Sequence, residues 1–195
     1  MNSPAKALLL TPGSGGSCDH QTLVQLESEL EASSALSVTL YEFEYRRAGK
    51  RSSGRADRLV GELTRAVRAT ANGLGIETTA MVIGGRSMGG RVCSMAVADG
   101  LDVAGLLLLS YPLHPPGAPD NLRIDHWNHV SVPTLFISSD NDRFGRPAEF
   151  EQHFDRLGCT PTTRWLSGGG HDPKRIDHRR DIVDQVATWI DQLGE

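Results

Sequence analysis

Short apolar runs recur along the chain, and each has the length and composition of a strand. There are six of them: Lys6–Thr11, Leu36–Tyr45, Thr78–Ile83, Val103–Leu109, Pro133–Ser138 and Thr160–Leu166. Val103–Leu109 is apolar almost throughout, which is typical of a parallel strand covered on both faces. The second run instead alternates and ends in Tyr41, Phe43 and Tyr45, aromatic residues that favour strands.

Segments after most of these runs repeat apolar residues every three or four positions, as the buried face of a helix does. Helices are predicted through Leu23–Leu30 and over residues 59–73, 91–98, 147–157 and 176–193. Residues 111–132 contain four prolines, so we expect a loop without a long helix there. The alternation of strands and helices predicts a single α/β domain over residues 1–195.

The third apolar run ends in a glycine cluster that surrounds one serine. Gly85, Ser87 and Gly89 have the spacing G-x-S-x-G, in which the serine occupies a sharp, strained strand-to-helix turn. Side chains at the two glycine positions would collide with the neighbouring strand and helix. An ordinary glycine-rich turn whose serine caps a helix is the alternative. The apolar strand before the motif and the helix after it favour a nucleophile elbow.

A serine hydroxyl becomes a strong nucleophile only when a base removes its proton, so an elbow implies a histidine and an orienting carboxylate elsewhere. Asp142 follows the fifth run and His171 follows the sixth. Because loops after parallel strands lie at one edge of the sheet, we expect both side chains to converge on Ser87. Asp140 is the rival acid, but Asp142 lies nearer the next helix and is favoured. Asp172 is expected to cap the turn that follows His171.

Hydrogen-bond donors would be needed near Ser87 to stabilise negative charge that develops on a substrate oxygen. The predicted donors are two backbone N–H groups, that of Met88 after the elbow and that of Ser14 in the first glycine loop. This loop, Gly13–Ser17, does not match the dinucleotide motif G-x-G-x-x-G, since Cys18 stands at the third glycine position. No lysine follows it, as a phosphate loop requires. We therefore predict no nucleotide and no other cofactor.

The composition of the chain sets its size class and argues against several kinds of partner and location. A chain of 195 residues with 38% hydrophobic content can bury one sizeable core. A net charge of −4 gives no indication of a nucleic acid or membrane partner. Cys18, Cys93 and Cys159 lack disulfide or metal-ligand spacing, which predicts no metal site and a reducing, cytoplasmic location. The apolar run Ala7–Leu10 is too short for a signal segment or a membrane span.

One segment carries concentrated positive charge. Residues 46–58 are rich in glycine, serine and basic side chains, namely Arg46, Arg47, Lys50, Arg51, Arg55 and Arg58. Two interpretations stay open, a solvated surface loop or a loop that overhangs the site and attracts anions. On the second, the substrate would be an ester that carries a carboxylate or phosphate, and Arg46 and Arg47 would favour its binding.

Three stretches carry a resemblance to a known family. Gly84–Arg91, Tyr111–Gly117 and the segment from Pro133–Phe136 to Asp142–Gly145 resemble the small α/β-hydrolases of the KAN and testis-expressed type, relatives of dienelactone hydrolases. The resemblance covers nearly the whole chain, and that family's serine, aspartate and histidine fall on Ser87, Asp142 and His171. It implies a minimal three-layer α/β-hydrolase fold. We predict six mostly parallel strands in the order 2-1-3-4-5-6, helices on both faces and no large cap.

These observations predict a serine hydrolase that acts on a small-molecule ester or thioester. Ser87 would be the nucleophile, His171 the general base and then acid, and Asp142 the residue that orients His171. The alternative belongs to another class, a non-catalytic hydrolase-like protein that binds a partner through residues 111–132 or through the basic segment. The resemblance allows both, because some members of that family are subunits of larger assemblies.

Overall fold

A six-stranded parallel sheet forms the centre of the protein. The computed structural model describes residues 5–52 and 54–194. The strands are β1 (Ala7–Thr11), β2 (Ser37–Leu40), β3 (Met81–Arg86), β4 (Gly105–Leu109), β5 (Thr134–Ser139) and β6 (Thr162–Leu166). Their order is β2-β1-β3-β4-β5-β6, so the predicted fold class and strand order are confirmed.

Helices cover both faces of the sheet. They are α1 (Gln21–Ser33), α2 (Glu44–Arg47), α3 (Val60–Leu74), α4 (Met88–Ala98), α5 (Pro147–Glu151) and α6 (Ile176–Gln192). Successive side chains of a strand point to opposite faces. Leu8 and Leu10 therefore pack in the cluster that contains the buried residues of α1 and α6, while Leu9 packs with those of α3 and α4. The described helices include none that is both long and apolar enough to cross a membrane.

The second strand is shorter than its pattern predicts. It ends at Leu40, and the last ladder bond runs from Tyr41 N to Leu10 O at 2.8 Å. Two residues after Leu10, just past the end of β1, stands Pro12, which has no N–H to continue the pairing. Phe43 is instead fully buried against the rings of its neighbours Tyr41 and Tyr45. The aromatic residues that favoured a strand thus anchor the segment after β2, including α2, at the carboxyl edge of the sheet.

Three other boundaries differ from prediction. Residues 78–80 form a 3-10 turn before β3, α4 begins at residue 88, and α5 ends at residue 151 instead of 157. After α5 the chain turns so that Phe154 reaches the ring of Phe136, with the two centroids 5.2 Å apart. Packing against the aromatic cluster therefore overrides the helical pattern there.

The long loop 110–133 contains no helix beyond a 3-10 turn at Trp127–His129, as its prolines predict. It is nevertheless anchored. Tyr111 and Trp127 are fully buried and pack on Phe136 of β5 and Phe150 of α5. A packed loop of this kind can hold side chains over the edge of the sheet without a separate cap domain.

Candidate active site

Ser87 lies between β3 and α4 with a backbone φ of 53° and ψ of −119°. A positive φ is unusual for any residue with a side chain and marks a strained turn. Two backbone bonds hold it, from Ser87 N to Leu109 O at 2.8 Å and from Arg91 N to Ser87 O at 3.1 Å. The sheet and the first turn of α4 thus keep the serine in the conformation of a nucleophile elbow.

The glycines of the motif permit a close approach to the end of β1. A Cβ atom on Gly85 would lie 2.6 Å from Thr11 O, and one on Gly89 would lie 2.5 Å from Pro12 O. Gly85 would also meet the backbone carbonyl carbon of Gly89 at 2.9 Å. The pattern G-x-S-x-G is therefore a steric requirement of this turn, since every larger residue at either position would move backbone.

A chain of hydrogen bonds links Ser87 to a buried carboxylate. Ser87 Oγ lies 2.8 Å from His171 Nε2, and His171 Nδ1 lies 2.7 Å from Asp142 Oδ2. Asp142 is fully buried, and its other oxygen accepts from Phe144 N at 2.9 Å. The ring of Phe144 also packs on the imidazole, with centroids 4.1 Å apart. The turn after β5 thereby fixes both the carboxylate and the ring that it contacts.

Asp140, the rival acid, has a different place. Its Oδ1 accepts from Gly168 N at 2.9 Å and its Oδ2 accepts from Ser167 Oγ at 3.3 Å. It therefore ties the turn after β5 to the loop after β6. The structure brings Asp142, and not Asp140, into contact with His171.

The sequence predicted that Asp172 caps the turn after His171, but among the described residues its carboxylate contacts two side chains instead. Its Oδ1 lies 2.9 Å from His20 Nε2 and 3.2 Å from Arg86 Nη2. Burial lowers the pKa of His20, with a further decrease from Arg86 and a partial compensation from Asp172. Burial also lowers the pKa of Arg86, against the opposing effect of Asp172 and Asp142. The ion pair between Arg86 and Asp172 therefore lies beside Ser87. It was not predicted from the sequence, although an arginine at the end of a buried strand could have indicated it.

The hydroxyl of Ser87 faces an open cleft of about 860 Å³. Ser14, Met88 and His171 also line it. A Cβ atom on Gly13 would lie only 3.3 Å from Ser87 Cβ, so the absence of a side chain lets the first glycine loop lie against the serine. The two predicted N–H donors therefore belong to residues that share this cleft with Ser87. Its apolar surface comes from Ala56, Met88, Met95, Pro112, Pro115, Leu122 and Phe144.

The basic segment reaches the cleft, but through residues 54–57 and not through Arg46 and Arg47. Of the described residues in the segment, those that line the cleft lie within 54–57, and Arg55 there is paired with Asp57. Arg46 instead donates to Lys50 O, and Arg47 lies over the ring of Tyr41. The prediction that Arg46 and Arg47 face the site is therefore wrong, because the segment turns its first arginines back onto its own backbone and aromatic anchor.

Two arginines that sequence reasoning did not assign to the site also line the cleft. Arg91 lies on α4, and Arg123 lies in the loop 110–133. Burial lowers the pKa of Arg123, and the nearby charge of Arg91 lowers it further. His126 lies close by, and burial followed by the charge of Arg91 lowers its pKa to about 4, while Asp125 acts in the opposite direction. This wall of the cleft therefore carries two arginines and Asp125, and His126 lies behind it with a lowered pKa.

The match to known proteins agrees with this geometry. Residues 4–191 match the family model described as an alpha/beta hydrolase domain, so the chain belongs to the alpha/beta hydrolase family. The resemblance predicted from the sequence is confirmed at that level.

Solved structures share the fold at low sequence identity. DcsB in complex with its substrate analogue is 12% identical over 98% of this chain and 92% of that chain, with a TM-score of 0.79. An alpha-beta serine hydrolase homologue from Coxiella burnetii is 15% identical over 96% and 86%, with a TM-score of 0.74. The RedJ thioesterase of the prodiginine pathway in Streptomyces coelicolor is 13% identical over 94% and 85%, with a TM-score of 0.66. Identities this low establish similarity of fold alone.

Proposed function

We propose that the protein is a serine hydrolase that cleaves a small ester or thioester through an acyl-enzyme. One observation carries the proposal: the continuous contact from Asp142 through His171 to Ser87, which ends at an open cleft. The same three residue types in this order along the chain occur in alpha/beta hydrolases. The similarity to proteins named as a serine hydrolase homologue and a thioesterase supports the same reaction class.

In the first half of the reaction, His171 Nε2 removes the proton of Ser87 while Oγ attacks the substrate carbonyl carbon. Asp142 accepts from Nδ1–H, which keeps Nε2 free of a proton and stabilises the imidazolium that forms. The carbonyl electron pair moves onto oxygen. The electron pair re-forms the carbonyl double bond as the bond to the leaving oxygen or sulfur breaks, and the leaving group takes its proton from His171.

The oxyanion formed in that step needs donors already in place. We assign them to the backbone N–H groups of Met88 and Ser14, which belong to the first turn of α4 and to the glycine loop that lies against Ser87. Donors held by backbone need no reorganisation when charge develops, and removal of one such donor typically costs about 100-fold or more in kcat.

In the second half, water takes the place of the leaving group. His171 removes a proton from the water, whose oxygen attacks the acyl carbon, and the same histidine returns the proton to Ser87 Oγ as the acid leaves. The atoms balance as one ester or thioester plus one water, which give one acid and one alcohol or thiol. Every proton passes through His171, whose ring is held by Asp142 and Phe144.

A fluorophosphonate probe tests the proposal because it labels only an activated serine and requires no knowledge of the substrate. The wild-type protein should be labelled, and Ser87→Ala should lose both labelling and turnover of a neutral p-nitrophenyl ester. Its thermal midpoint should stay nearly unchanged, since the change removes one oxygen at the edge of the cleft. Absence of labelling in the wild-type protein would favour the alternative, a non-catalytic binding subunit of this fold.

We further propose that the chain lies in the branch of small alpha/beta hydrolases that it resembles in sequence, the KAN and testis-expressed type. The long motifs around Ser87, Pro112 and Asp142 support this placement. A cytoplasmic location, and the absence of a nucleic acid or membrane partner, stay predictions from composition. Fractionation of the cells that produce the protein would test the first.

A further inference from the structure

Arg91 is placed on the same side of α4 as the predicted nucleophile. It follows Ser87 by four residues, and its N–H donates to Ser87 O at 3.1 Å. Residues four apart lie on one face of a helix, so both side chains line the cleft. The Arg91 Nε atom is buried and has no hydrogen-bond partner among residues 5–52 and 54–194. The side chain nevertheless lines the cleft, and its guanidinium group forms no side-chain hydrogen bond or ion pair with another described residue.

Arg123 approaches from the loop 110–133, where its backbone is fixed at both polar atoms. Its N–H donates to Leu113 O at 2.8 Å, and its carbonyl accepts from the Tyr111 hydroxyl at 2.6 Å. Tyr111 is itself fully buried, and Trp127 Nε1 donates to its hydroxyl at 3.3 Å. The backbone of Arg123 is thus anchored to the aromatic core, which fixes the point from which its side chain extends.

The charges on this wall are not compensated. Two other arginines line the cleft, but Arg55 is paired with Asp57 and Arg86 with Asp172. Within the described residues, neither Arg91 nor Arg123 forms an ion pair, and Asp125, which also lines the cleft, pairs with neither. Holding two guanidinium groups of like charge together costs free energy unless an anion is bound between them.

We propose that Arg91 and Arg123 form an anion-binding subsite that takes a carboxylate or phosphate group of the substrate, while the substrate carbonyl lies at Ser87. The subsite rests on the proposed hydrolase function and specifies its substrate class, an acidic ester or thioester. Guanidinium groups suit this role because their planar donors match carboxylate and phosphate oxygens in pairs. Met88, Met95 and Leu122 give the same cleft apolar surface for a short hydrocarbon spacer between the two groups.

Three p-nitrophenyl esters with matched acyl chains test this substrate class. They are the glutarate monoester, its methyl-capped neutral counterpart, and the 4-phosphonobutanoate. The wild-type protein should prefer both anionic esters to the capped one, and this preference should decrease as salt is added, since salt screens exposed charges. A preference for the carboxylate alone or the phosphonate alone would support the subsite and identify which group it takes.

Substitutions then locate the preference. Arg91→Gln and Arg123→Gln should each raise KM for the anionic esters about tenfold, the scale of one hydrogen bond to a charged group. Arg123→Lys should lose less than Arg123→Gln, because it keeps the charge. The matched control is the pair Arg46→Gln and Arg47→Gln, which lie outside the cleft and should leave all three rates unchanged. Equal losses for the anionic and capped esters, or an effect of the control pair alone, would overturn the subsite.

A binding measurement separates failure of the subsite from failure of the hydrolase. Titration calorimetry with monomethyl glutarate and with inorganic phosphate should show binding to the wild-type protein and to Ser87→Ala, and about tenfold weaker binding to Arg91→Gln. Labelling by the fluorophosphonate without anion binding or anion preference would refute the subsite and leave the hydrolase standing. Anion binding that depends on Arg91, in a protein that the probe does not label, would support the subsite and refute the hydrolase.

Discussion

Arg86 Nη2 donates to the backbone carbonyl of His171 at 3.1 Å, which connects the residue before the predicted nucleophile to the residue predicted as its base. The same nitrogen lies 3.2 Å from Asp172 Oδ1, and the Arg86 side chain is only 13% exposed. Both contacts fall on the loop after β6, which Asp140 and Asp142 hold from the side of β5. Arg86 therefore links the end of β3 directly to that loop.

Arg86→Met should lower kcat for a neutral ester by about tenfold to 100-fold with little change in KM. The reason is that a base displaced by about 1 Å loses much of its effect, while a neutral substrate forms no ion pair with Arg86 and its binding changes little. Steady-state kinetics measure the two constants. Arg164→Met is the matched control, since it breaks the ion pair with Asp181 outside the cleft. An equal loss of kcat in both variants would show that Arg86 acts on general stability only.

Asp142→Asn and Asp140→Asn separate the two acids of the turn after β5. If Asp142 orients the base, its amide should favour the wrong imidazole tautomer and lower kcat by several orders of magnitude, about 10⁴ in chymotrypsin-like proteases. Asp140→Asn should have a far smaller effect, because the amide oxygen still accepts from Gly168 N. Kinetics at one pH decide between them, with the thermal midpoints as the control for folding. The reverse order of effects would transfer the role to Asp140.

Gly89→Ala should destabilise the fold by about 2 kcal/mol or more, since the added Cβ would lie 2.5 Å from the carbonyl oxygen of Pro12. Gly73→Ala is the matched control. A Cβ atom there meets nothing within 4 Å, and the position lies inside α3, so alanine should stabilise the protein by about 0.5–1 kcal/mol. Urea unfolding measures both changes. Similar effects of the two substitutions would contradict the steric account of the elbow.

Stability should depend on pH through His126. Its pKa in the folded protein is about 4, below the ordinary value of 6.5, because of burial and the charge of Arg91. Between these values the unfolded chain binds a proton that the folded protein does not, so the free energy of unfolding falls as pH falls from 6.5 to 4. The full loss is about 3 kcal/mol on this basis.

His126→Gln removes that titration while an amide can still reach Ser94 Oγ, which lies 2.7 Å from His126 Nε2. Urea midpoints between pH 4 and pH 7 should decline less steeply in the variant than in the wild-type protein, since all other titrating groups are shared. Parallel curves for the two proteins would show that His126 is protonated equally in the folded and unfolded states.

Local sequence determined much of the fold and the centre of the site. Runs such as Val103–Leu109 are apolar almost throughout, which is typical of a parallel strand covered on both faces. The glycines at 85 and 89 follow from the steric limits of a single turn, so the elbow can be recognised from five residues together with the strand before them and the helix after them. The alternation of strands and helices then places the later loops, with Asp142 and His171, at the same edge of the sheet as Ser87.

Only the tertiary structure decided which charged side chains share the cleft. The sequence placed Arg46 and Arg47 in a loop at the right edge of the sheet, but their contacts with Lys50 O and with the ring of Tyr41 direct them elsewhere. Arg91 and Arg123 line it because the buried Tyr111 holds the carbonyl of Arg123 and because α4 presents Arg91 on the face of Ser87. A strand or an elbow depends on neighbours in sequence, whereas the meeting of two side chains from distant segments depends on how the core between them packs.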